Sequence, residues 1–428
     1  MSFDAFDFLL VCSVAITLAA LLRLRIATFI FAANQIGVLR AFGHLEQFGQ
    51  PQSQGYLPPS IFSASNLAIA QNLFFISTAL LLVCVLLPDS RVKLREPLPA
   101  IPRALLWLLF LYFPLVIFSS RTILTNAYSD PERTVYGFNL SGGHAFLASI
   151  FLYEIVRRCA AGELSRLKGF GALLLLFTAT DYLKGQTGLA TGFMVTAAFL
   201  VLGGEVRPRR RWLTLGGAIL SLGLLSLAVR GVRSNVYSQG TSSFSDFASS
   251  VQDHEDRVSQ SGEGAEVYGN GSQYAAHVLE CISLYEAGLS REWRSVYLPF
   301  LYTFQPSFLM HLLDVERPKE AAWELADYYV HGGGIYVLGE LYWNGGYLCE
   351  ALVFGAILLL CWLCDTRARH SFFWLLLLCE FAPGTLQGMG YGFAQVSRGL
   401  FNGLLAFGIY LIARKLQRPA QLRSEAHA

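Results

Sequence analysis

Apolar runs long enough to cross a bilayer recur along almost the whole chain, and one long stretch breaks the rhythm. A spanning helix needs about 20 apolar residues, with roughly 17–25 tolerated. Candidate spans fall at 5–22, 26–43, 64–87, 103–119, 143–157, 169–183, 186–203, 212–230, 346–364, 371–388 and 397–414. The pattern predicts an all-α polytopic membrane protein of about 11 transmembrane helices, within a range of about 10–12. The second span carries Asn34, Gln35 and Arg40, and the pair flanking Lys184 also reads as one re-entrant hairpin. Residues 231–345 are the exception, the only long segment suited to water. The chain thus divides into an N-terminal bundle of about eight spans (1–230), a long loop (231–345) and C-terminal spans with a tail (346–428).

The loop has its own pattern. Residues 238–272 are rich in Ser, Gly and acids, which predicts a mobile stretch. Residues 273–290 place Tyr274, Val278, Leu279, Ile282 and Tyr285 at helical spacing, with Glu280 and Glu286 elsewhere on the wheel. That predicts an amphipathic helix on the membrane or over a cavity. Residues 295–312 are apolar but broken by Pro299 and Pro306, as a half-inserted segment would be.

Composition agrees with the pattern. Of 428 residues, 54% are hydrophobic and only 14% charged, against about 25% charged in a soluble protein. The net charge of +2 gives no reason to expect nucleic acid as a partner. Asp4 and Asp7 stand where a signal peptide would carry Lys or Arg, so the first run reads as an uncleaved span. Seven of the eight cysteines lie in or beside apolar segments and only Cys281 lies well inside the loop, so no disulfide framework is expected. Cys361 and Cys364 have CxxC spacing but end an apolar helix, where packing explains them.

Charge position orients the chain. Arg23 and Arg25, Arg91 to Arg103, Arg157 to Lys168, Arg207 to Arg211, Arg367 and Arg369, and the tail from Arg414 all fall on one side. With that side cytoplasmic, the N-terminus faces out, the C-terminus faces in, and the 231–345 loop is periplasmic in a Gram-negative cell.

Some charges fall where this rule gives no reason for them. Arg230 and Arg233 leave the eighth span on the outer side, and Arg121, Lys184, Arg291, Arg294 and Arg398 share that placement. Lipid phosphates or the loop's acids account for some of them. A phosphate clamp accounts for the rest, because guanidinium groups hold phosphate oxygens through two parallel hydrogen bonds and keep their charge. Arg230 with Arg233, and Arg291 with Arg294, repeat an i,i+3 spacing suited to stabilising a pyrophosphate leaving group. Glu154 is close enough to Arg157 and Arg158 to pair with them, whereas Glu350 and Glu380 lie in or near spans. His331 opens His-Gly-Gly-Gly, a backbone able to approach a ligand, and Asp327 or Glu340 are further candidate bases.

These features resemble a known family. A long external loop between late spans, closed by Gly339-Glu340-Leu341-Tyr342-Trp343-Asn344-Gly345-Gly346-Tyr347, resembles the Wzy-type polymerases of O-antigen and oligosaccharide repeat units. An Arg after the span before the loop, and Lys184-Gly-Gln-Thr-Gly188 at the start of a span, add to the likeness, although Lys stands there where Arg is more usual. The resemblance implies a GT-C-like glycosyltransferase of the bacterial inner membrane. It would move a growing glycan from undecaprenyl pyrophosphate onto the next lipid-linked repeat unit at the periplasmic face. It implies as partners those lipid-linked glycans and the bilayer, with a chain-length regulator and a flippase alongside.

Neither a cofactor nor a metal is expected. The chain has no Asp-x-Asp, and Asp253-His254-Glu255-Asp256 reads as a solvated charge run. Glu340 or His331 would assist the acceptor hydroxyl as base. Arg230 and Arg233 would clamp the pyrophosphate, with Arg291, Arg294, Lys184 and Arg121 also binding it. Tyr342, Trp343 and Asn344, with Tyr328, Tyr329 and Tyr336, would meet the glycan. Two rivals stand beside this reading. An O-antigen ligase shares the architecture but transfers to lipid A–core. A lipid-linked saccharide transporter or flippase would use Glu350, Glu380 and Asp181 as proton sites, and would lead one to expect an internal repeat that is not apparent.

Overall fold

The structure is a computed structural model. It describes residues 5–42, 61, 63–88, 99–102, 105–107, 149–150, 152–158, 191–199, 217, 220–221, 269–291, 321–325, 327–329, 335–368, 371–388 and 392–425. Among these the regular structure is wholly helical. The helices are α1 (Ala5–Leu22), α2 (Ile26–Phe42), α3 (Ala64–Leu86), α4 (Gly269–Glu286), α5 (Ala321–Leu325), α6 (Val337–Cys349), a π-helical turn (Glu350–Phe354), α7 (Gly355–Arg367), α8 (Phe372–Gly388) and α9 (Phe393–Glu425).

Three helices are long and apolar enough to cross a membrane: Ala5–Leu22, Ala64–Leu86 and the continuous Val337–Arg367. They coincide with the first, third and ninth spans read from the sequence. Ile26–Phe42 and Phe372–Pro383 are shorter apolar helices at the second and tenth. The runs 169–183 and, but for residues 217 and 220–221, 212–230 lie outside the described residues, as does the half-inserted segment 295–312. Only parts of 103–119, 143–157 and 186–203 lie within them.

The chain forms two compact units. The first comprises Met1–Arg91, Val267–Arg367 and Gly384–Phe401. Within it α1 buries Phe6, Leu9, Ser13, Ile16 and Ala20, a stripe of helical period. Its other face exposes Phe8, Val11, Leu18 and Leu22. A helix apolar all round is unsuited to water and suited to lipid. The polar residues of α2 are absorbed rather than disruptive. Gln35 is fully buried and donates to Ser13 Oγ at 3.2 Å and Thr78 Oγ1 at 2.6 Å, while its Oε1 accepts from Ser77 at 3.0 Å. Each partner lies on a neighbouring helix, so the amide ties α1, α2 and α3 together without an unsatisfied polar group.

One end of this unit is closed by charges. Arg23 donates to the Val85 carbonyl, and Arg25 to those of Cys84 and Leu87, so two arginines cap the C-terminus of α3. Asp365 of α7 caps the start of α2. Its Oδ1 accepts from the Ala27 amide at 2.9 Å, and its Oδ2 from the Thr28 amide at 3.0 Å and the Thr28 hydroxyl at 2.8 Å.

The second unit comprises Val92–Glu266, Ala368–Pro383 and Asn402–Ala428. Tyr153 donates to the Pro99 carbonyl at 2.7 Å and sets its ring against Phe372 at 4.9 Å. Glu154 is held by Arg157 and Arg158, each at 2.7 Å, as their spacing predicts. Cys361 and Cys364, in the first unit, are buried free thiols.

Candidate functional site

The site grows from the crossing of α4 and α6. At Gly339 the helices approach so closely that a Cβ would stand 2.9 Å from Val278 Cα. Only glycine fits there, and it brings α4 against the next residue of the motif, Glu340. The run Gly339 to Gly345 is therefore helical and mostly buried rather than an open return from the loop. The helix bends at Gly345–Gly346, and the membrane-length run continues from there, close to the span boundary read from the sequence. Tyr336, before the bend, stacks on Phe74 at 6.1 Å, and Tyr347, after it, accepts from Asn72 at 3.3 Å. An unbent helix would carry those two tyrosines about 16 Å apart.

Helical periodicity puts Glu340, Trp343 and Asn344 on one face of α6, and Arg291 meets that face. Arg291 arrives there because α4 is closed by Gly288 N to Tyr285 O at 3.0 Å and Leu289 N to Leu284 O at 2.9 Å. The chain then runs back along Trp343. The indole donates to the Leu289 carbonyl at 2.7 Å, and the Arg291 amide donates to the Trp343 carbonyl at 3.1 Å.

The Arg291 guanidinium is the hub. Its Nε donates to Glu324 Oε2 at 2.6 Å, and its Nη1 to Glu340 Oε1 at 3.3 Å and Asn344 Oδ1 at 3.4 Å. Its Cζ lies 5.3 Å from the Trp343 ring centroid, within cation–π range. The side chains of Arg291 and Glu340 are each 2% exposed, against 32% for Glu324. The Glu340–Arg291 pair is thus screened from water, and Glu324 is the partner an incoming anion could displace.

Glu340 has a second duty. Its Oε2 accepts from the Phe393 amide at 2.6 Å, at the first residue of α9. Gly392 precedes it with φ +84°, and a Cβ there would collide with the Glu340 carboxylate. Both oxygens of Glu340 are therefore engaged.

Two further buried acids stand out. Glu350, at the π-helical turn, is fully buried, and neither of its carboxylate oxygens has a partner among the described residues. Glu280 of α4 is 1% exposed, and its Oε2 likewise has no partner among them. The two acids read from the sequence as lying off the apolar stripe of this helix differ in their surroundings. Glu286 does reach solvent. Because α4 packs against α2, α3 and α6 at once, its flanks are covered and Glu280 is enclosed. Burial pushes the Glu280 carboxyl up to about 8. The adjacent Cys281 thiol is raised by burial, with Glu280 and Glu340 adding to the rise and Arg291 opposing it.

Of the residues expected at the site, Glu340, Arg291, Trp343 and Asn344 come together. Tyr342 turns to another face, where its hydroxyl donates to Glu286 at 2.8 Å and its ring meets Tyr285 at 4.8 Å. Tyr336 is corrected as a sugar-stacking residue, since it is buried between Phe74 and Tyr274. Tyr328 sits half exposed against Trp343 at 6.3 Å. Asp327 is exposed just beyond α5. Arg121, Lys184, Arg230, Arg233, Arg294 and His331 lie outside the described residues, as does Asp253 to Asp256. Sequence reasoning missed Glu324 as a partner of Arg291, and no spacing signal would have paired residues 33 positions apart.

Compared with known proteins, the chain matches no family model, no curated protein and no solved structure. Its own features define a class: an all-helical protein, among the described residues, with helices long and apolar enough to cross a membrane. To that class the first unit adds a buried arginine–carboxylate hub where α4 crosses α6.

Proposed function

We propose that the protein is a membrane-embedded glycosyltransferase that polymerises undecaprenyl-pyrophosphate-linked repeat units into O-antigen or a related surface polysaccharide. The observation that carries the reading is Arg291. It is a buried guanidinium held between Glu340, Asn344 and Trp343 of the Gly-Glu-Leu-Tyr-Trp-Asn-Gly run on which the resemblance rests. Glu324, the more exposed partner, can give way to pyrophosphate oxygens while Glu340 keeps the guanidinium in place.

In this reading the protein has about eleven spans, with a GT-C-like arrangement and the site at the periplasmic face. The acceptor hydroxyl attacks the anomeric carbon of the donor glycan. The bond from that carbon to the pyrophosphate oxygen breaks, and undecaprenyl pyrophosphate leaves with the electron pair. Arginines stabilise the charge that develops on it, a role the sequence reading gives to Arg230 and Arg233 and also to Arg291.

A deletion strain tests the reading. Loss of a polymerase leaves lipopolysaccharide capped with a single repeat unit. Loss of a ligase leaves uncapped core and accumulated lipid-linked polymer, and loss of a flippase strands lipid-linked units inside. The first outcome is expected, and either of the others overturns the assignment.

A further inference from the structure

If Arg291 meets the pyrophosphate, the sugar bonded to that pyrophosphate has to lie beside it. Two chemistries together recognise a sugar. The C–H face of its ring packs on an aromatic ring, whose face is electron-rich, and its hydroxyls donate to acceptors such as carboxylates.

Most aromatics near Arg291 are already engaged. Trp343 is 1% exposed and bonded through its indole to the Leu289 carbonyl. Tyr342 is held by Glu286 and Tyr285, and Tyr329 packs against the apolar cluster that includes Leu284, Leu325 and Ile335. Tyr328 differs. It is 49% exposed and stands nearly perpendicular to Trp343, so that ring leaves at least one of its faces uncovered. Its position comes from the turns that follow α5, where the Tyr328 amide donates to the Leu325 carbonyl at 3.1 Å and the Asp327 amide to that of Glu324 at 3.1 Å. Leu325 is fully buried and fixes the turn in the core.

Direct contacts link four side chains here. Tyr328 leans on Trp343 at 6.3 Å, Arg291 lies over the same indole at 5.3 Å, and Glu324 accepts from Arg291 Nε at 2.6 Å. A single indole therefore separates the open tyrosine ring from the guanidinium. Arg291 and Trp343 are closed off from solvent, and exposure is confined to Glu324 and Tyr328. These are a carboxylate and an aromatic ring, the pair that sugar recognition uses.

We propose that Tyr328 and Glu324 form the subsite for the sugar bonded to the pyrophosphate, with Tyr328 as the ring it stacks on and Glu324 as the acceptor of its hydroxyls. The inference rests on the glycosyl-transfer reading above. Pyrophosphate that takes Arg291 deprives Glu324 of its donor, and a carboxylate left without one is costly. Hydroxyls of the adjoining sugar replace that donor. An ionised carboxylate only accepts, so the subsite suits a neutral, hydroxylated first sugar and disfavours an acidic one.

The test measures equilibrium binding to the full-length protein in lipid nanodiscs. Its ligands are purified undecaprenyl pyrophosphate bearing the repeat unit and undecaprenyl pyrophosphate bearing no sugar. The wild type should bind the glycosylated lipid more tightly. Tyr328→Ala should weaken that lipid by about 10-fold and leave the bare one unchanged. Tyr328→Leu, which keeps apolar bulk without an aromatic face, should behave likewise, whereas Tyr328→Phe should bind both as the wild type does. Glu324→Gln should tighten the bare lipid, because its neutral amide competes poorly for Arg291, while narrowing the advantage of the glycosylated one. Tyr328→Ala and Tyr328→Leu proteins that bind both lipids normally overturn the inference. So do variants that weaken both lipids alike, as an interfacial ring anchoring the chain in the bilayer would. A wild type that binds the two lipids equally overturns it while leaving the pyrophosphate site standing. If the wild type binds neither, the glycosyl-transfer reading falls and this inference with it.

Discussion

The first unit buries acids at several places, and two of those regions use them differently. At one end Asp365 gives both oxygens to the start of α2, accepting from Ala27 and Thr28. Near the α4–α6 crossing, Glu340 likewise gives one oxygen to Arg291 and the other to the Phe393 amide, whereas Glu280 of α4 keeps an oxygen with no partner among the described residues. A carboxylate with both oxygens hydrogen-bonded to other elements holds those elements together. One left with an open acceptor is poorly suited to that and well suited to meeting a ligand.

Substitutions should break that contrast in a definite order. Arg291→Ala has the largest expected effect. It strands the buried Glu340 carboxylate and removes the anchor of Trp343, which should cost about 3–5 kcal/mol and show as loss of folded protein in detergent. Arg291→Lys should fall between, because an ammonium cannot reproduce the fork to Glu324, Glu340 and Asn344. Asp365→Ala comes next, at about 2–3 kcal/mol, since two backbone amides and the Thr28 hydroxyl lose their acceptor. Its activity per folded molecule should match the wild type, read by polymer formed per amount of monodisperse protein. Gly392→Ala should cost about 1–2 kcal/mol from its left-handed backbone alone, with the Glu340 contact adding to it.

The smallest effect on stability at neutral pH belongs to Glu280→Gln, and its sign is distinctive. The folded protein binds that proton more tightly than the unfolded chain, at about 8 against an ordinary 4.5. Its contribution to stability is full below the unfolded value and is lost as pH rises through about 8. The apparent melting temperature of the wild type should therefore fall between pH 5 and pH 9 by more than that of the Gln variant.

Much of the helical layout was legible from apolar periodicity. The run 5–22 coincides with Ala5–Leu22, 26–43 with Ile26–Phe42, and 64–87 with Ala64–Leu86. The loop helix read over 273–290 is found at Gly269–Glu286, with Val278, Leu279 and Ile282 buried as their spacing predicts. Periodicity reports one helix at a time, however, and burial of Glu280 depends on three other helices packing around α4. The same limit explains Asp365, whose capping partner Thr28 lies 337 residues away in the chain. It also explains Glu340. Its place in a recognisable run suggested a base, whereas its engagement by Phe393 is set by how α9 begins.

The contrast between the two acids is tested most directly by preparing Glu280→Gln and Glu340→Gln in parallel. Apparent melting temperature and polymerisation rate would be measured on the same samples. Glu340→Gln should melt below the wild type, because its neutral amide loosens Arg291 and the start of α9. Glu280→Gln should melt no lower than the wild type. A Glu340→Gln protein that melts like the wild type, beside a Glu280→Gln protein that melts well below it, would contradict the account.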